Sequence, residues 1–491
     1  MMNSHKTYLL IALVIGTSMR FYGLDIQSLW VDELYTITNA SFSLAYLFDT
    51  LSYDVHPPLH NLFLFLWMKL FGDSEVSVRL PSAMAGFLSM IAMYHYTKQF
   101  YGKNIATSAT ILLSLTFAGI YYSQEARSYS FLLLFSIVST FLFMKIVTTP
   151  EENKVNYYHY AFYSVIAILI SYTHYFGLLL IILQCIYWIT ISYVYGENKY
   201  KPILVALILI ISYLPWFQIL KTTISEKNGG NFWIPTPTLH LFIDFFMTAT
   251  YPKKTIVLIF FLLIVIIPLI INFKQFRSNL FSTINTISLK SPTFIAVYLI
   301  LSSSSITFLI SQHTPILTVR NLLIIAPMVY LLIALWVSMN PLFGNHKQNA
   351  YILATCLICL MMLLPSYYSP NKEQFREAIE YSVNQADIGT YLLFLGDYDM
   401  HNRYNYYVNK QNIPTDVTLV MQNPNMDLIE YYNASLTNVN DLIIIGAHTR
   451  DLNENEKIYL EEQYDKCTIK KFYSAIVYEY KNEYSSKDNQ I

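Results

Sequence analysis

Charge is scarce in this sequence. Only 13% of its 491 residues are Asp, Glu, Lys or Arg, against roughly 25% in an average soluble domain. Cysteine is scarce too: Cys185, Cys356, Cys359 and Cys467 are the four present, and they imply no disulfide framework. Cys356 and Cys359 form a CxxC, but inside an apolar run, where a buried helical pair fits better than a redox or zinc site. No internal repeat and no low-complexity tract is visible. The C-terminal part carries neither a Gly-rich phosphate loop nor a nucleophile elbow.

What is present is apolar and aromatic: 54% hydrophobic residues, with 42 Tyr and 31 Phe. The few charges are unevenly shared. Residues 1–370 hold 20 Lys+Arg and 13 Asp+Glu, whereas residues 371–491 hold 11 and 19. The near-zero total therefore conceals a basic, apolar part and an acidic, soluble tail. A helix needs about 20 apolar residues to cross a bilayer. That rule places about eleven spans, near 8–24, 80–98, 105–122, 129–147, 157–173, 176–195, 202–220, 254–272, 292–311, 321–339 and 349–366. The N-terminal run lacks a small-residue cleavage site and is read as a retained first helix. Segment 57–71 is apolar but short and begins with Pro57-Pro58, so it is expected to lie in the interface. Segment 239–250 is a second interfacial candidate. With the N-terminus inside, eleven Lys/Arg face the cytoplasm and nine the other side, an orientation the positive-inside rule favours weakly. Four arginines, Arg20, Arg79, Arg127 and Arg320, then stand at or near outer helix ends, each placed to face an anion. This gives a mainly α, polytopic plasma (inner) membrane protein, with a small α/β domain outside the cytoplasm. The domain division is 1–370 and 371–491. Nothing points to nucleic acid.

The tail alternates helical and strand-like stretches: helices at 372–386, 398–409, 425–436 and 453–464, strands at 389–396, 416–421 and 441–446, and one or two more over 467–480. Such alternation suggests a small mixed or parallel sheet.

The stretch from Asp25 to Arg79, between the first two spans, carries the densest chemistry. Trp30-Val31-Asp32-Glu33 sets two adjacent carboxylates at the mouth of a membrane helix, a costly placement. His56-Pro57-Pro58 and Arg79 follow. The expected outer loops add Glu125 and Arg127 (in Tyr121–Tyr129), His174, and Arg320; the loop 221–253 adds Gly229-Gly230 and Trp233. Arginine's rigid fork of donors grips phosphate oxygens, and a carboxylate accepts a proton from an attacking hydroxyl. Together they suit displacement of a membrane-bound phosphate by a hydroxyl or amine. Each residue also has a structural alternative. Arg79 would serve as an interfacial anchor, Glu125 and Arg127 would pair with each other, His174 would be a hydrogen-bonded interfacial histidine, and Arg320 would snorkel from its helix end.

Six motifs in order resemble one family. They are Trp30-x-Asp32-Glu33, Asp54-x-His56-Pro57-Pro58-Leu59, Arg79-x-Pro81-Ser82-Ala83-x-x-Gly86, Tyr122-Ser123-Gln124-Glu125-Ala126-Arg127-x-Tyr129, His174-Tyr175-Phe176-Gly177, and Lys372-x-x-x-Phe375-Arg376-Glu377-Ala378. The sequence resembles the bacterial polyprenyl-phosphate-sugar glycosyltransferases of the GT-C superfamily, related to protein O-mannosyltransferases and the lipid A aminoarabinose transferase. The resemblance implies a multi-span helical domain with interfacial helices in the first outer loop, plus an outer soluble domain. It implies Asp32 as catalytic base and Glu33 as its neighbour positioning the acceptor. It places His56 near the donor phosphate and Arg79 and Arg127 at the outer face. Glu125, His174 and Arg320 complete the substrate-binding candidates. The implied donor is a polyprenyl-phosphate-linked sugar, the acceptor a lipid, cell-envelope glycan or protein, and the reaction inverts the anomeric centre. Some relatives use a divalent metal; no metal-ligand spacing is visible here and no cofactor is assigned. The competing expectation is a lipid-linked-glycan flippase or transporter, which calls for mid-membrane charges and a repeat.

Overall fold

The computed structural model describes residues 4–482 apart from 53, 55, 151–155, 228–233, 272, 341–342, 344–346, 424 and 449, and without the side chains of 224–227 and 286. Gly229-Gly230 and Trp233 thus lie outside the described residues. The chain forms two units. The first comprises Met1–Tyr22, Ser43–Phe71 and Ser77–Pro365; the second comprises Gly23–Phe42, Gly72–Val76 and Ser366–Ile491.

Among the described residues seven helices are long and apolar enough to cross a membrane, and an eighth if the pair His240–Ala249 and Lys254–Ile270, bent by 81°, is one span. On Tyr200–Lys227 the outward positions are Leu204, Leu207, Ile210, Ile211, Leu214 and Phe217, a face suited to lipid and costly in water. This is a multi-pass membrane protein. Leu59–Phe71 has 13 residues and reaches roughly 20 Å, short of a bilayer core of about 30 Å. Helix Glu75–Leu115 runs 41 residues with a break at Gly102, whose φ of 76° is one that glycine adopts without strain. The break falls between the stretches 80–98 and 105–122 read as separate spans. An amphipathic helix, Phe273–Thr286, was not anticipated by hydropathy, because its charges Lys274 and Arg277 interrupt the apolar run.

The expected span 105–122 is not continuous. The helix stops at Leu115, Thr116 is extended, and Phe117–Tyr121 begins anew. A broken helix within apolar surroundings must have its freed backbone groups satisfied. Arg20, fully buried, does much of this. Its Nη2 donates to the Leu113 carbonyl at 3.0 Å, and its Nη1 donates to Ser114 at 2.9 Å and to Gly16 at 2.8 Å. The Tyr251 hydroxyl donates to the Leu115 carbonyl at 3.2 Å, and the Phe117 amide donates to Thr250 at 2.8 Å. The turn after the break is packed tightly. A Cβ on Gly86 would stand 2.0 Å from Ser123 Oγ, and one on Gly119 would stand 2.1 Å from the Leu113 carbonyl oxygen. Glycine is required at both places by close approach. The break delivers the Tyr122–Arg127 stretch to its position.

The second unit holds a five-stranded sheet: β1 Tyr391–Phe394, β2 Thr418–Met421, β3 Asp441–Ala447, β4 Lys466–Phe472 and β5 Ala475–Lys481, in the order β2-β1-β3-β5-β4. β1 is parallel to β2 and β3, with Leu392 opposite Ile443; β5 is antiparallel to β3 and β4, with Ile444 opposite Tyr478. Every residue of β3 is buried, as a central strand covered on both faces requires. Helices start where acceptor side chains meet orphan amides. Asp397 caps Tyr398–Val408, Asp427 caps Leu428–Ser435, and Asn453 with Glu456 forms a reciprocal capping box on Glu454–Glu461.

Candidate active site

The first unit gathers arginines, carboxylates and histidines from well-separated stretches. Asp54 and His56 lie between helices Leu44–Leu51 and Leu59–Phe71, with His56 Nδ1 3.4 Å from Asp54 Oδ1. His60 sits in the first turn of the second of those helices. Arg127 comes from the loop after the broken span, and its carbonyl accepts from Ser82 Oγ at 3.2 Å. Ser82 is one turn beyond Arg79 on helix Glu75–Leu115. His174 joins Tyr157–Thr173 to Tyr175–Val194, and its ring lies 5.4 Å from that of His56 and 6.2 Å from that of Tyr129. Arg320, on the short helix Val319–Ile325, donates to the Tyr129 hydroxyl at 3.3 Å. Asp54, Arg79, Glu125, Arg127, His60 and His174 are all buried. Arg127 and Arg320 thus act on His174, and Arg127 also on His60, in a region largely shielded from water, where each charge acts strongly.

The histidines respond to that field. Burial, followed by the nearby Arg127 and His56 charges, pushes His60 down to about 3. Burial first, then His56, Arg127 and Arg320, hold His174 well below its ordinary value. His174 Nδ1 accepts from the Phe176 amide at 3.2 Å, so the neutral ring carries its proton on Nε2 and presents it as a donor.

Neutral buried histidines make folding acid-sensitive, with a definite sign. The unfolded chain takes up protons below about pH 6.5 and the folded chain does not, so the stability present above that pH falls as pH drops towards the folded value. For His60 alone the loss by pH 5 is about 2 kcal/mol. Thermal melting in detergent is expected to show a falling Tm from pH 7.5 to pH 5, and a flatter profile in the His60→Asn, His174→Asn double variant. An unchanged slope in that variant overturns the assignment.

Asp32 and Glu33 belong to the second unit, in the first turn of helix Val31–Ser41. Asp32 is half-buried, and its carbonyl accepts from Thr36 Oγ1 at 3.0 Å. Glu33 is fully buried. Its Oε2 accepts from the Trp30 amide at 3.3 Å and lies 3.4 Å from Lys372 Nζ. This is half of a capping box, since an indole offers no acceptor in return. The sequence put Glu33 beside Asp32 in the chemistry; its carboxylate is engaged in holding the helix turn on which Asp32 stands. Removing the cation alone leaves a buried carboxylate uncompensated. Lys372→Met is therefore expected to destabilise the protein by about 3 kcal/mol. The Lys372→Met, Glu33→Gln double variant should melt higher than Lys372→Met alone; a double variant no better than the single refutes the pairing.

Among the described residues no group of three or more His, Cys, Asp or Glu side chains is placed to hold a metal ion.

The comparisons with known proteins agree with this architecture. Residues 55–217 match the family model for dolichyl-phosphate-mannose-protein mannosyltransferase. ArnT from Cupriavidus metallidurans in the apo state superposes with a TM-score of 0.61 at 11% identity, over 97% of this chain and 98% of that one. Its form bound to undecaprenyl phosphate gives 0.57 at 12%, over 96% and 98%. The oligosaccharyltransferase AglB from Archaeoglobus fulgidus gives 0.50 at 13%, over 90% of this chain and 69% of that one. No curated protein sequence matches the chain. The chain thus carries a segment that matches this mannosyltransferase family model and shares the fold of ArnT and AglB. The family model covers His56, Arg79, Glu125, Arg127 and His174; Asp32, Arg320 and the sheet-bearing tail lie outside its range.

Of the sequence candidates, His56, Arg127, His174 and Arg320 come together in the first unit, with Arg79 one turn from Ser82. Sequence reasoning passed over His60, one turn after His56 on an apolar helix. It also set Arg20 among the phosphate-facing cations, whereas its guanidinium binds the carbonyls of the broken helix. Glu373 and His448 carry no local signal at all.

Proposed function

We propose that this protein is a glycosyltransferase of the plasma (inner) membrane that moves a sugar from a polyprenyl phosphate to an acceptor on the outer face. In this reading the chain crosses the bilayer about eleven times, with its N-terminus cytoplasmic, its first-loop helices in the interface and its sheet-bearing domain outside. The observation that carries the proposal is the largely buried cluster of Arg127, Arg320, Tyr129, His56 and His174, a cationic group built from four separate stretches. Support comes from relatives of the same fold. One is bound to undecaprenyl phosphate, and the other is in complex with dolichol-phosphate and an inhibitory peptide.

The reaction is a single displacement. An acceptor hydroxyl attacks the anomeric carbon, the bond from that carbon to the phosphate oxygen breaks, and the acceptor proton passes to the Asp32 carboxylate. The lipid phosphate leaves with the additional negative charge. Arg79, Arg127 and Arg320 stabilise that charge as it develops, where a fixed donor in a shielded site is most effective. Neutral His174 adds a donor without adding charge, His56 stands beside it, and Glu125 orients Arg127. Glu33 steadies the turn carrying Asp32. Inversion at the anomeric carbon follows from a single displacement.

Purified protein in liposomes, given polyprenyl-phosphate sugars and envelope acceptors, is expected to release lipid phosphate and a glycosylated product visible by mass spectrometry. Movement of intact donor across the bilayer without cleavage overturns the proposal in favour of a flippase.

A further inference from the structure

The second unit joins the turn carrying Asp32 to the tail at several places: the Leu29 amide donates to the Tyr407 hydroxyl at 2.6 Å, Arg376 donates to the Asp25 and Ile26 carbonyls at 2.9 and 3.1 Å, and the segment Asn371 to Gln374 meets the turn directly. Gln27 Oε1 accepts from the amides of Asn371 at 3.0 Å and Lys372 at 3.1 Å. Ser28 Oγ donates to the Glu373 carbonyl at 2.8 Å. The Val31 amide, first of the helix and one of its orphan donors, donates to Glu373 Oε2 at 2.8 Å. A carboxylate there also faces the positive end of the helix. The other oxygen, Oε1, meets His448 Nδ1 at 2.5 Å. Glu373 itself is buried, so its two oxygens bridge the helix start on one side and the sheet on the other.

The sheet end it meets is strained. His448 directly follows β3, at the carboxyl end of a parallel strand, and has φ of 63°; Ser474, between β4 and β5, has φ of 50°. Among the described residues these are the two non-glycine positions with positive φ, and they are bonded to each other, the His448 amide donating to the Ser474 carbonyl at 3.0 Å. The neighbouring Tyr473 carbonyl accepts from the Gln374 amide at 3.0 Å, and Gln374 Oε1 accepts from the Tyr473 amide at 2.8 Å. A histidine in the left-handed region is strained and persists only where surrounding contacts impose it. Here the backbone is turned so that the ring reaches Glu373. The ring is otherwise open, with 41% of its side chain exposed.

We propose that Glu373 and His448 are positioning residues for Asp32, so that the tail's sheet sets the orientation of the catalytic turn. This rests on the reading of Asp32 as the base. The tail's His448–Glu373 pair then fixes the start of the helix that carries Asp32 within the tolerance a proton transfer demands.

The test compares five variants of the full-length protein in sugar transfer. His448→Gly relieves the backbone and removes the ring; His448→Asn tolerates the left-handed backbone and keeps a donor. A purely structural His448 predicts a Gly variant as active as wild type and no less stable. The positioning role predicts that His448→Gly loses kcat about tenfold or more, with donor KM within about twofold and Tm not lowered, and that His448→Asn recovers much of the loss. Glu373→Gln should lower kcat similarly, and combining it with His448→Gly should cost little more, because both act through one contact. Full kcat in His448→Gly overturns the inference. A fall in Tm that accounts for the whole loss of activity overturns it too. Asp32→Asn run alongside separates the two ideas: an active Asp32→Asn removes the base itself, whereas an inactive one beside a fully active His448→Gly removes only the role of the tail.

Discussion

Asp32→Asn is expected to lower turnover of the proposed sugar transfer by about three orders of magnitude, within the range that a positioned general base contributes. The amide matches the carboxylate in size and still hydrogen-bonds to an acceptor hydroxyl, but takes no proton from it. The loss should appear in kcat, with donor KM little changed, because no donor contact is removed. Asp32→Glu keeps the base but moves it by a methylene, and should retain partial activity. Turnover of Asp32→Asn within about twofold of wild type would eliminate the role given to this residue. The helix geometry makes the test clean. Asp32 lies in a first turn whose amides are met by Glu33 and Glu373, so the substitution leaves the caps in place.

Arg127→Ala should cost about two to three orders of magnitude in kcat, the scale of losing a fixed donor to developing charge in a shielded site. Arg127→Lys should restore little, since an ammonium cannot offer the paired donors of a guanidinium. The same substitution has a second readout. Arg127 is among the charges that hold His60 and His174 down, after burial, so Arg127→Ala should also move the acid limb of the Tm profile to lower pH by a modest amount. Burial remains, and most of the depression remains with it. An Arg127→Ala variant with wild-type turnover and an unmoved acid limb would separate Arg127 from both the chemistry and the histidines.

The two predictions fall on different units of the chain, and that division bears on how the sequence should be read. Residues Gly23–Phe42 group with Ser366–Ile491, although more than three hundred residues separate them. The acidic pair at Asp32-Glu33 is conspicuous in sequence as charge at the edge of an apolar run. Its supports are not conspicuous: Lys372, Glu373 and His448 sit in a charge-rich tail where one more acid or histidine carries no pattern. Likewise Arg20 reads as a cation at a helix end. Only the break at Thr116 gives it the Leu113 and Ser114 carbonyls to satisfy.

The sequence by itself determined the things that depend on neighbours along the chain. Runs of apolar residues dictate membrane-length helices, because every backbone group must be satisfied within the segment. The alternation of the tail dictates its helices and strands, and Asp397, Asp427 and Asn453 mark where helices begin. Gly86 and Gly119 occupy places that admit no Cβ, yet the sequence offers no means of knowing which atoms approach them. Tertiary structure alone decided the strand order β2-β1-β3-β5-β4, the gathering of Arg127, His56, His174 and Arg320, and the attachment of the Asp32 turn to Glu373. These are contacts between residues far apart in sequence, set by packing, burial and desolvation, which leave no periodic trace in the order of the amino acids.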